Sequence, residues 1–251
     1  MKRYFLEVAY NGTNYHGWQV QANANTVQAE LNKALSILLK EPVETLGSGR
    51  TDAGVHATQQ LVHIDSKADL LKGSIVHSLN ALLPADISVI DIYQVEPTAH
   101  ARFDAFSRSY EYRISHQKNP FLPKMCYRYR GTPDIAQMNE AAQLLLHYTD
   151  FECFSKVKTD VNNFRCTITK AFWIYENDCL VFHISANRFL RGMVRAIVGT
   201  LLEVGEGKMN IDDFEKVIQG QDRQKAGRAV PPEGLFLTRV EYPFELKKNR
   251  I

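Results

Sequence analysis

Residues 47–57 have the sequence GSGRTDAGVHA and stand directly before a strand predicted over residues 60–65. Glycine tolerates positive φ and lets a ligand approach the backbone closely, so three glycines in this stretch indicate a structured loop. Arg50 stands two residues before Asp52 in this loop. A nearby guanidinium favours the ionised form of a carboxyl group. An ionised carboxylate suits a nucleophile or a base, so Asp52 is the first candidate for chemistry.

The residue pattern of the loop leaves two other interpretations open. Asp52 could cap a turn while Arg50 forms a surface ion pair. Asp52 and His56 could instead bind a metal, although no third ligand stands nearby. The loop lacks the Gly-Lys-Ser/Thr sequence of a Walker-type phosphate loop.

Outward from this loop, the first half of the chain alternates strands and helices. The sequence predicts strands over residues 4–10 and 87–95, and the first of them ends at Asn11-Gly12. Asn25 or Thr26 can cap a helix that continues to about Lys40. A second helix is predicted over residues 69–82. The first helix has apolar residues at helical spacing, namely Val27, Leu31, Ala34, Leu35 and Leu38.

The second half repeats this alternation. Asp134 and Gln137 have the spacing of a capping box and open a helix predicted to end near residue 146. A strongly apolar helix is predicted to end near Gly205, and Asn210 can cap a shorter one through Gln219. Residues 220–234 are typical of a loop. Strands are predicted over residues 110–115, 171–175, 179–185 and 235–242, the middle two as a hairpin around residues 176–178.

Interleaved strands and helices indicate the α/β or α+β class. Each half opens with an aromatic-rich strand that is followed by an amphipathic helix, which suggests two similar domains. We place their boundary near residue 105. Residues 1–105 then form an N-terminal α/β domain that contains the loop at residues 47–57, called the Asp52 loop below. Residues 106–251 form a C-terminal α/β domain.

The composition is that of an ordinary globular protein. Of 251 residues, 45% are hydrophobic and 23% are charged, which argues against a disordered or collagen-like chain. The formal net charge is only +2, but residues 101–130 hold seven basic residues against two acidic ones. Such a stretch is either a solvated face or a surface for an anionic partner.

The cysteines and the N-terminus indicate a cytoplasmic protein with reduced thiols. The four cysteines, at positions 126, 153, 166 and 179, lack the C-x-x-C spacing of zinc or thioredoxin-type sites. Glu7 interrupts any apolar run at the N-terminus, and no stretch has the length of a membrane span.

Residues 49–56, GRTDAGVH, resemble the signature of the TruA family of tRNA pseudouridine synthases. Further segments resemble the family's other motifs in the same order, and together the matches span about residues 4–242. Asn11 is a departure, because the family usually has Asp there. These segments are YNGTNYHGWQ at 10–19, HARF at 100–103, RSYEY at 108–112, NRFLRGMVR at 187–195 and EGL at 233–235.

The resemblance implies an isomerase that converts uridine to pseudouridine at positions 38, 39 and 40 of the tRNA anticodon stem-loop. It also implies the pseudouridine synthase fold, with two α/β domains that each have a mixed, mainly antiparallel sheet with helices on one face, and a cleft between the domains. The family acts as a homodimer and needs no metal or organic cofactor. We therefore expect tRNA as the substrate and no membrane partner.

The family's essential carboxylate corresponds to Asp52, which could attack C1′ of the ribose or remove the proton at C2′ to give a glycal. The family's arginine partner corresponds to Arg195. Together with Arg188 and Arg191 it has i, i+3, i+7 spacing, which predicts one helix face. We expect Arg188 and Arg191 to bind substrate, although a solvated stripe is the alternative.

Three further residues complete the expected site. Tyr110 corresponds to the family's active-site tyrosine and could stack on the target uracil, whereas Tyr112 is expected in the core. Leu235 corresponds to an aliphatic residue of the family's pocket, although core packing is an equal alternative. Arg50 is expected near the target nucleotide, either paired with Asp52 or in contact with RNA.

The expected substrate also predicts a function for the basic segments. A uridine in an RNA stem must leave the stack to reach a carboxylate, and phosphate contacts from basic residues hold the RNA during that step. Two rival functions remain open from the sequence: a tRNA-binding protein without catalysis, and a metal-dependent hydrolase that uses Asp52 and His56.

Overall fold

The computed structural model describes residues 1–122, 124–156 and 163–247. The strands are β1 (Lys2–Tyr10), β2 (Leu46–Gly47), β3 (His56–Ser66), β4 (Ile87–Val95), β5 (Ser107–Ser115), β6 (Tyr127–Arg128), β7 (Ile168–Glu176), β8 (Cys179–Ala186) and β9 (Leu235–Glu241). The α-helices are α1 (Val27–Leu39), α2 (Ile75–Leu82), α3 (Ile135–Leu144), α4 (Met193–Gly205) and α5 (Ile211–Gly220). Short 3-10 turns cover Gly12–Asn14, Leu145–His147, Glu152–Phe154 and Pro232–Gly234.

The chain divides into two compact units. Unit 1 contains Met1–Phe106 and the described residues from Phe236 onward, and unit 2 contains Ser107–Leu235. The predicted boundary at residue 105 is one residue away from this division. The sequence, however, assigned the last strand to the second domain, and the structure places most of it in unit 1. The reason is a non-local pairing, because β9 runs parallel to β3 through His56↔Phe236 and Ala57↔Leu237.

The sheet of unit 1 is built around β1. This strand pairs antiparallel with β3 on one side and with β4 on the other, so that Leu6 is opposite both Val62 and Ile92. β2 adds antiparallel to β3. The consecutive residues Tyr4, Phe5 and Leu6 are all fully buried, which places β1 in the core.

The first helix forms as its sequence predicts. The Thr26 hydroxyl accepts a hydrogen bond from the Ala29 amide and caps α1, and Val27, Leu31 and Leu35 of the apolar stripe are fully buried. The second helix begins six residues later than predicted. The Asp69 side chain accepts a hydrogen bond from the Leu71 amide at 3.2 Å, and this turn competes with helix.

Unit 2 has an antiparallel core of β5, β8 and β7, and β6 pairs parallel with β5. The predicted hairpin is confirmed as β7 and β8. Its two turn residues, Asn177 and Asp178, both have positive φ, as the tightest hairpin turns require. The predicted caps are also confirmed, because Asp134 accepts from the Gln137 amide and Asn210 from the Asp213 amide.

The helices of unit 2 pack around α4. Eleven residues of α4 are buried, which agrees with its strongly apolar sequence. α3 and α5 both contact this helix, and α3 also packs on β7. Among the described residues, no helix is both long and apolar enough to cross a membrane.

Candidate active site

The Asp52 loop is bound to the segment that follows β1, so two motifs distant in the sequence form one structure in unit 1. The Tyr10 hydroxyl hydrogen-bonds the Thr51 hydroxyl at 2.8 Å, and the Trp18 amide donates to the Thr51 carbonyl at 3.1 Å. The Gly54 amide donates to the Tyr15 carbonyl at 3.2 Å. These bonds flank Asp52 on both sides and fix the backbone that carries its carboxylate.

Close backbone approach accounts for the glycine at position 17. Its φ is +96°, and a Cβ placed there would lie 2.5 Å from the Thr51 carbonyl oxygen. A larger residue would therefore push the Asp52 loop away. Tyr15 secures the same segment, because its hydroxyl donates to the Asp86 carboxylate. Burial, and then this bond, raise the pKa of Tyr15 well above its usual range.

The other end of the loop is tied to β3. The Ser48 amide donates to the Leu61 carbonyl at 2.7 Å, and its hydroxyl donates to the Gln60 side chain at 2.9 Å. Gln60 in turn donates to the Gly49 carbonyl at 2.9 Å. Gln60 is fully buried, so this glutamine has a supporting function that the sequence analysis missed.

His56, which the sequence analysis considered only as a metal ligand, is a second supporting residue. Its ring is fully buried and stacks on Phe236, with centroids 4.6 Å apart. Its Nδ1 accepts a hydrogen bond from the Gly12 amide at 3.0 Å. The metal interpretation needs His56 as a ligand. Among the described residues, no group of three or more His, Cys, Asp or Glu side chains is arranged to hold a metal ion.

Asp52 is partly exposed, and Arg50 is exposed on the same loop. Arg50 lines an open groove of unit 1 whose wall also includes Trp18, Arg102 and Phe103. A cation at this position is suited to bind a phosphate of a ligand that lies in the groove.

In unit 2, β5 carries both tyrosines of the RSYEY motif. Tyr110 is partly exposed and meets Phe189 edge to face, with centroids 5.1 Å apart. Tyr112 is fully buried, and its hydroxyl donates to the Pro231 carbonyl at 2.7 Å. Burial raises the pKa of Tyr112 far above its usual range. The prediction that Tyr112 belongs to the core is confirmed.

Arg195 lies in the first turn of α4 and holds the loop before β9. Its Nε donates to the Val230 carbonyl at 2.6 Å, and its own carbonyl accepts from the Val230 amide at 3.1 Å. The Thr200 hydroxyl adds a bond from the Gly227 amide at 2.9 Å. Arg195 is therefore partly buried and oriented by the backbone it binds.

The prediction that Arg188, Arg191 and Arg195 share a helix face is wrong. α4 begins only at Met193, because Gly192 has a φ of +71° and interrupts the helical path. Arg188 donates to the Asn163 side chain at 3.2 Å, and the Arg191 carbonyl accepts from the Lys156 amide at 2.9 Å. The two arginines thus belong to the loop between β8 and α4.

Leu235 begins β9 and is 7% exposed. It follows the 3-10 turn Pro232–Gly234 and the residues bound by Arg195 and Tyr112. This burial fits the core alternative, and a small exposed fraction is also what a residue lining a pocket has. Unit 1 thus carries Arg50 and Asp52, and unit 2 carries Tyr110, Arg188, Arg191, Arg195 and Leu235.

Comparison with known proteins agrees with the motifs. The family model described as tRNA pseudouridine synthase matches residues 7–104 and 141–243. Asp52 and Arg195 lie inside these ranges, and Tyr110 lies between them. The chain is 52% identical over 249 residues to tRNA pseudouridine synthase A of Bacteroides thetaiotaomicron, which covers 98% of this chain and 93% of the relative.

Other relatives give the same result. The chain is 50% identical to tRNA pseudouridine synthase A of Bacteroides fragilis, with 98% of both chains covered. It is 41% identical to the protein of that name from a Geobacillus species, with 96% of this chain and 98% of the relative covered. The GRTDAGVH loop, the mixed α/β units and these full-length matches all lead to one assignment. The chain belongs to the family of tRNA pseudouridine synthases.

Proposed function

We propose that this protein isomerises uridine to pseudouridine at positions 38, 39 and 40 of the tRNA anticodon stem-loop, with Asp52 as the catalytic carboxylate. The N-glycosidic bond breaks, the base turns, and a bond forms between C5 of the base and C1′ of the same sugar. The proton at C5 leaves to water. The reaction is an internal rearrangement, so it requires no redox partner and no second substrate.

The hydrogen bonds that hold the Asp52 loop in place are the main support for this proposal. Hydrogen bonds with Tyr10, Tyr15 and Trp18 hold the loop on both sides of Asp52, while Asp52 itself stays partly exposed. Catalysis gains from a group whose position is fixed before the substrate binds. A loop that only capped a turn would need no such double attachment.

Two other side chains are proposed to act with Asp52. The Arg195 guanidinium, oriented by Val230, stabilises the ionised carboxylate. The Tyr110 ring, which is in edge-to-face contact with Phe189, stacks on the target uracil. Its hydroxyl takes part in proton transfer late in the reaction. Arg50, Arg188, Arg191 and Leu235 are proposed to bind the substrate.

The RNA must be distorted for this chemistry to occur. A base paired or stacked in the anticodon arm costs a few kcal/mol to extrude. Phosphate contacts from Arg50 and from the basic stretch of residues 101–130 offset this cost. Three adjacent target positions favour recognition by shape and backbone over recognition of base edges. The affinity for tRNA should therefore fall steeply with salt.

We further propose a cytoplasmic homodimer without metal or organic cofactor. A protein that modifies tRNA meets its substrate in the cytoplasm. The residues up to 105 would supply the Asp52 loop, and those from 106 onward would supply Tyr110, Arg195 and further RNA contacts. Sedimentation of the purified protein tests the dimer.

A tritium-release assay tests the activity. Transcribed tRNA with tritium at C5 of its uracils is incubated with the protein in EDTA, without added cofactor. We expect release to water from tRNAs with uridine at positions 38, 39 or 40. Asp52→Asn should reduce release by at least about a thousandfold and leave tRNA binding nearly unchanged, because the amide keeps the shape but cannot act as a base or nucleophile.

The controls separate the rival functions. Salt-sensitive tRNA binding without release from any tRNA would support a binding protein. Release that stops in EDTA and returns with a divalent metal would support metal catalysis. Full activity of Asp52→Asn would refute the assignment of the carboxylate.

The two possible roles of Asp52 differ at C2′ of the ribose. Removal of the C2′ proton breaks a bond that attack on C1′ leaves intact. tRNA with deuterium at C2′ of the target uridine should therefore show a large, primary isotope effect only on the glycal route. Single-turnover rates on protonated and deuterated substrate distinguish the routes.

A further inference from the structure

Phe103 is a large apolar side chain that the fold leaves in solvent. It is 75% exposed, although phenylalanine is among the residues most often buried. It belongs to the HARF segment in unit 1, and neither the proposed chemistry nor the core gives its ring a function. An exposed aromatic ring on a firmly built support requires an explanation.

The support of Phe103 is a tight turn built on His100. The Nδ1 of His100 accepts hydrogen bonds from the amides of Arg102 and Phe103, at 3.1 and 3.2 Å. Asp104 closes the turn, because its carboxylate accepts from the His100 amide at 2.7 Å and its amide donates to the His100 carbonyl at 3.1 Å. The backbone at Phe103 is therefore fixed.

Two histidine rings also hold the orientation of the Phe103 ring. The His100 ring packs against it, with centroids 4.3 Å apart. The His63 ring packs edge to face on His100 at 4.7 Å, and its Nδ1 accepts from the Ala101 amide at 3.1 Å. Two histidines in edge-to-face contact thus connect an exposed ring to β3. This arrangement keeps the ring in one place at the surface.

The ring has an arginine beside it, and a second arginine lines the same groove. The Arg102 guanidinium carbon is 5.8 Å from the centroid of the Phe103 ring. Both residues line the groove that also contains Gly49, Arg50 and Trp18. None of the described residues that line this groove is acidic, whereas two are arginines. Gly49 and Arg50 belong to the Asp52 loop, so the groove adjoins the proposed catalytic residue within unit 1.

We propose that Phe103 is a stacking platform for an unpaired base next to the target uridine, with Arg102 and Arg50 on the neighbouring phosphates. Aromatic rings within a cationic groove are the common way in which proteins hold single-stranded nucleic acid. The platform would keep the neighbour in place while the target base leaves the stack. The identity of the ligand as tRNA rests on the proposed function.

The test measures dissociation constants for unmodified tRNA in the Asp52→Asn protein, which binds without reacting. Phe103→Ala and Phe103→Leu should each raise Kd about tenfold, because stacking of one base accounts for a factor of this order. Phe103→Trp should bind at least as tightly as the parent. Phe106→Ala is the matched control, since Phe106 is 55% exposed three residues after Phe103 but is not among the residues that line the groove. Its Kd should not change.

A salt titration separates stacking from charge. Phe103→Ala should keep the slope of log Kd against log salt, whereas Arg102→Ala should make it shallower by about one unit. In the catalytically active protein, Phe103→Ala should raise KM for tRNA, and Phe103→Trp should restore it. Thermal unfolding should be unchanged in the Phe103 and Phe106 variants, because the substituted rings are exposed.

Three results would each contradict the proposal that Phe103 stacks on a base. Phe103→Leu could bind as well as the parent, Phe106→Ala could weaken binding equally, or Phe103→Ala could alter the sedimentation of the protein and leave Kd unchanged. The last result would assign the ring to a contact between copies of the chain. Failure of the proposed function is separate, because it appears as absent tritium release by the unmodified protein, while the Kd comparison still reports on stacking.

Discussion

The imidazole of His56 accepts a hydrogen bond from the backbone amide of Gly12, with Nδ1 and the amide nitrogen 3.0 Å apart. The same ring stacks on Phe236. One buried side chain therefore connects the end of β1, the start of β3 and β9, and it does so four residues after Asp52. The position of the carboxylate depends on this connection.

We predict that His56→Ala destabilises unit 1. The substitution leaves the buried Gly12 amide without its acceptor and opens a cavity beside Phe236, and we expect a loss of about 2–4 kcal/mol in the free energy of unfolding. Urea unfolding curves of the parent and the variant, analysed with the same m-value, measure this loss. His56→Asn offers an acceptor oxygen near the place of Nδ1 and should recover part of the loss. Equal destabilisation by both variants would show that the hydrogen bond contributes little.

Gly17 gives a prediction about activity rather than stability. Gly17→Ala places a methyl group 2.5 Å from the Thr51 carbonyl oxygen at a φ of +96°, so the Asp52 loop must shift. A displacement of about 1 Å can reduce turnover on the order of a hundredfold, and we expect kcat to fall more than tRNA affinity. Gly73→Ala is the control, because its added Cβ has no neighbour within 4 Å. Unchanged kcat in Gly17→Ala would mean that the structure accepts the methyl group without moving Asp52.

The sequence predicted those elements whose signals are local. The strand over residues 87–95 matches β4 at both ends, and the cap of α1 and the β7–β8 hairpin are also as predicted. Hydrophobic period, capping residues and turn residues all lie within a few positions of the element they define.

The remaining features depend on contacts between distant residues or on backbone conformation. The parallel pairing of β9 with β3 joins residues about 180 positions apart, and no local pattern indicates it. Gly192 separates Arg188 and Arg191 from α4, although the spacing of the arginines fits a helix. For the site, the motifs identified Asp52 directly. His56 lies within the motif, but its function depends on Gly12, 44 positions away.

Arg195 is predicted to affect catalysis more than folding. Arg195→Ala removes the bond from Nε to the Val230 carbonyl and should cost about 1–2 kcal/mol of stability. Tritium release, measured where the variant is still fully folded, should fall by at least about a hundredfold, because the charge proposed to stabilise the ionised carboxylate is lost. Arg188→Ala is the comparison, since Arg188 lies in the loop before α4; it should raise KM and spare kcat. A purely structural Arg195 would reduce stability alone.

His63 gives a prediction about pH. Burial, and then the charge of Arg3 and the neighbouring His100, lower the pKa of His63 from 6.5 to about 4, and the charges of Asp65 and Asp104 oppose this shift only in part. The neutral ring is also the form whose Nδ1 accepts from the Ala101 amide. Between pH 6.5 and 4 the unfolded chain therefore binds a proton that the folded chain does not.

The contribution of His63 to stability is complete above about pH 6.5 and is lost as the pH falls toward 4. Because partial solvent access screens the effect, we expect a slope of about 0.5–1 kcal/mol per pH unit in this window. Urea unfolding of the parent and of His63→Asn at pH 7, 6 and 5 measures it. The asparagine keeps an acceptor for Ala101 but does not titrate, so the stability difference between the two proteins should shrink at lower pH. A difference that is constant with pH would show that His63 does not titrate in this range.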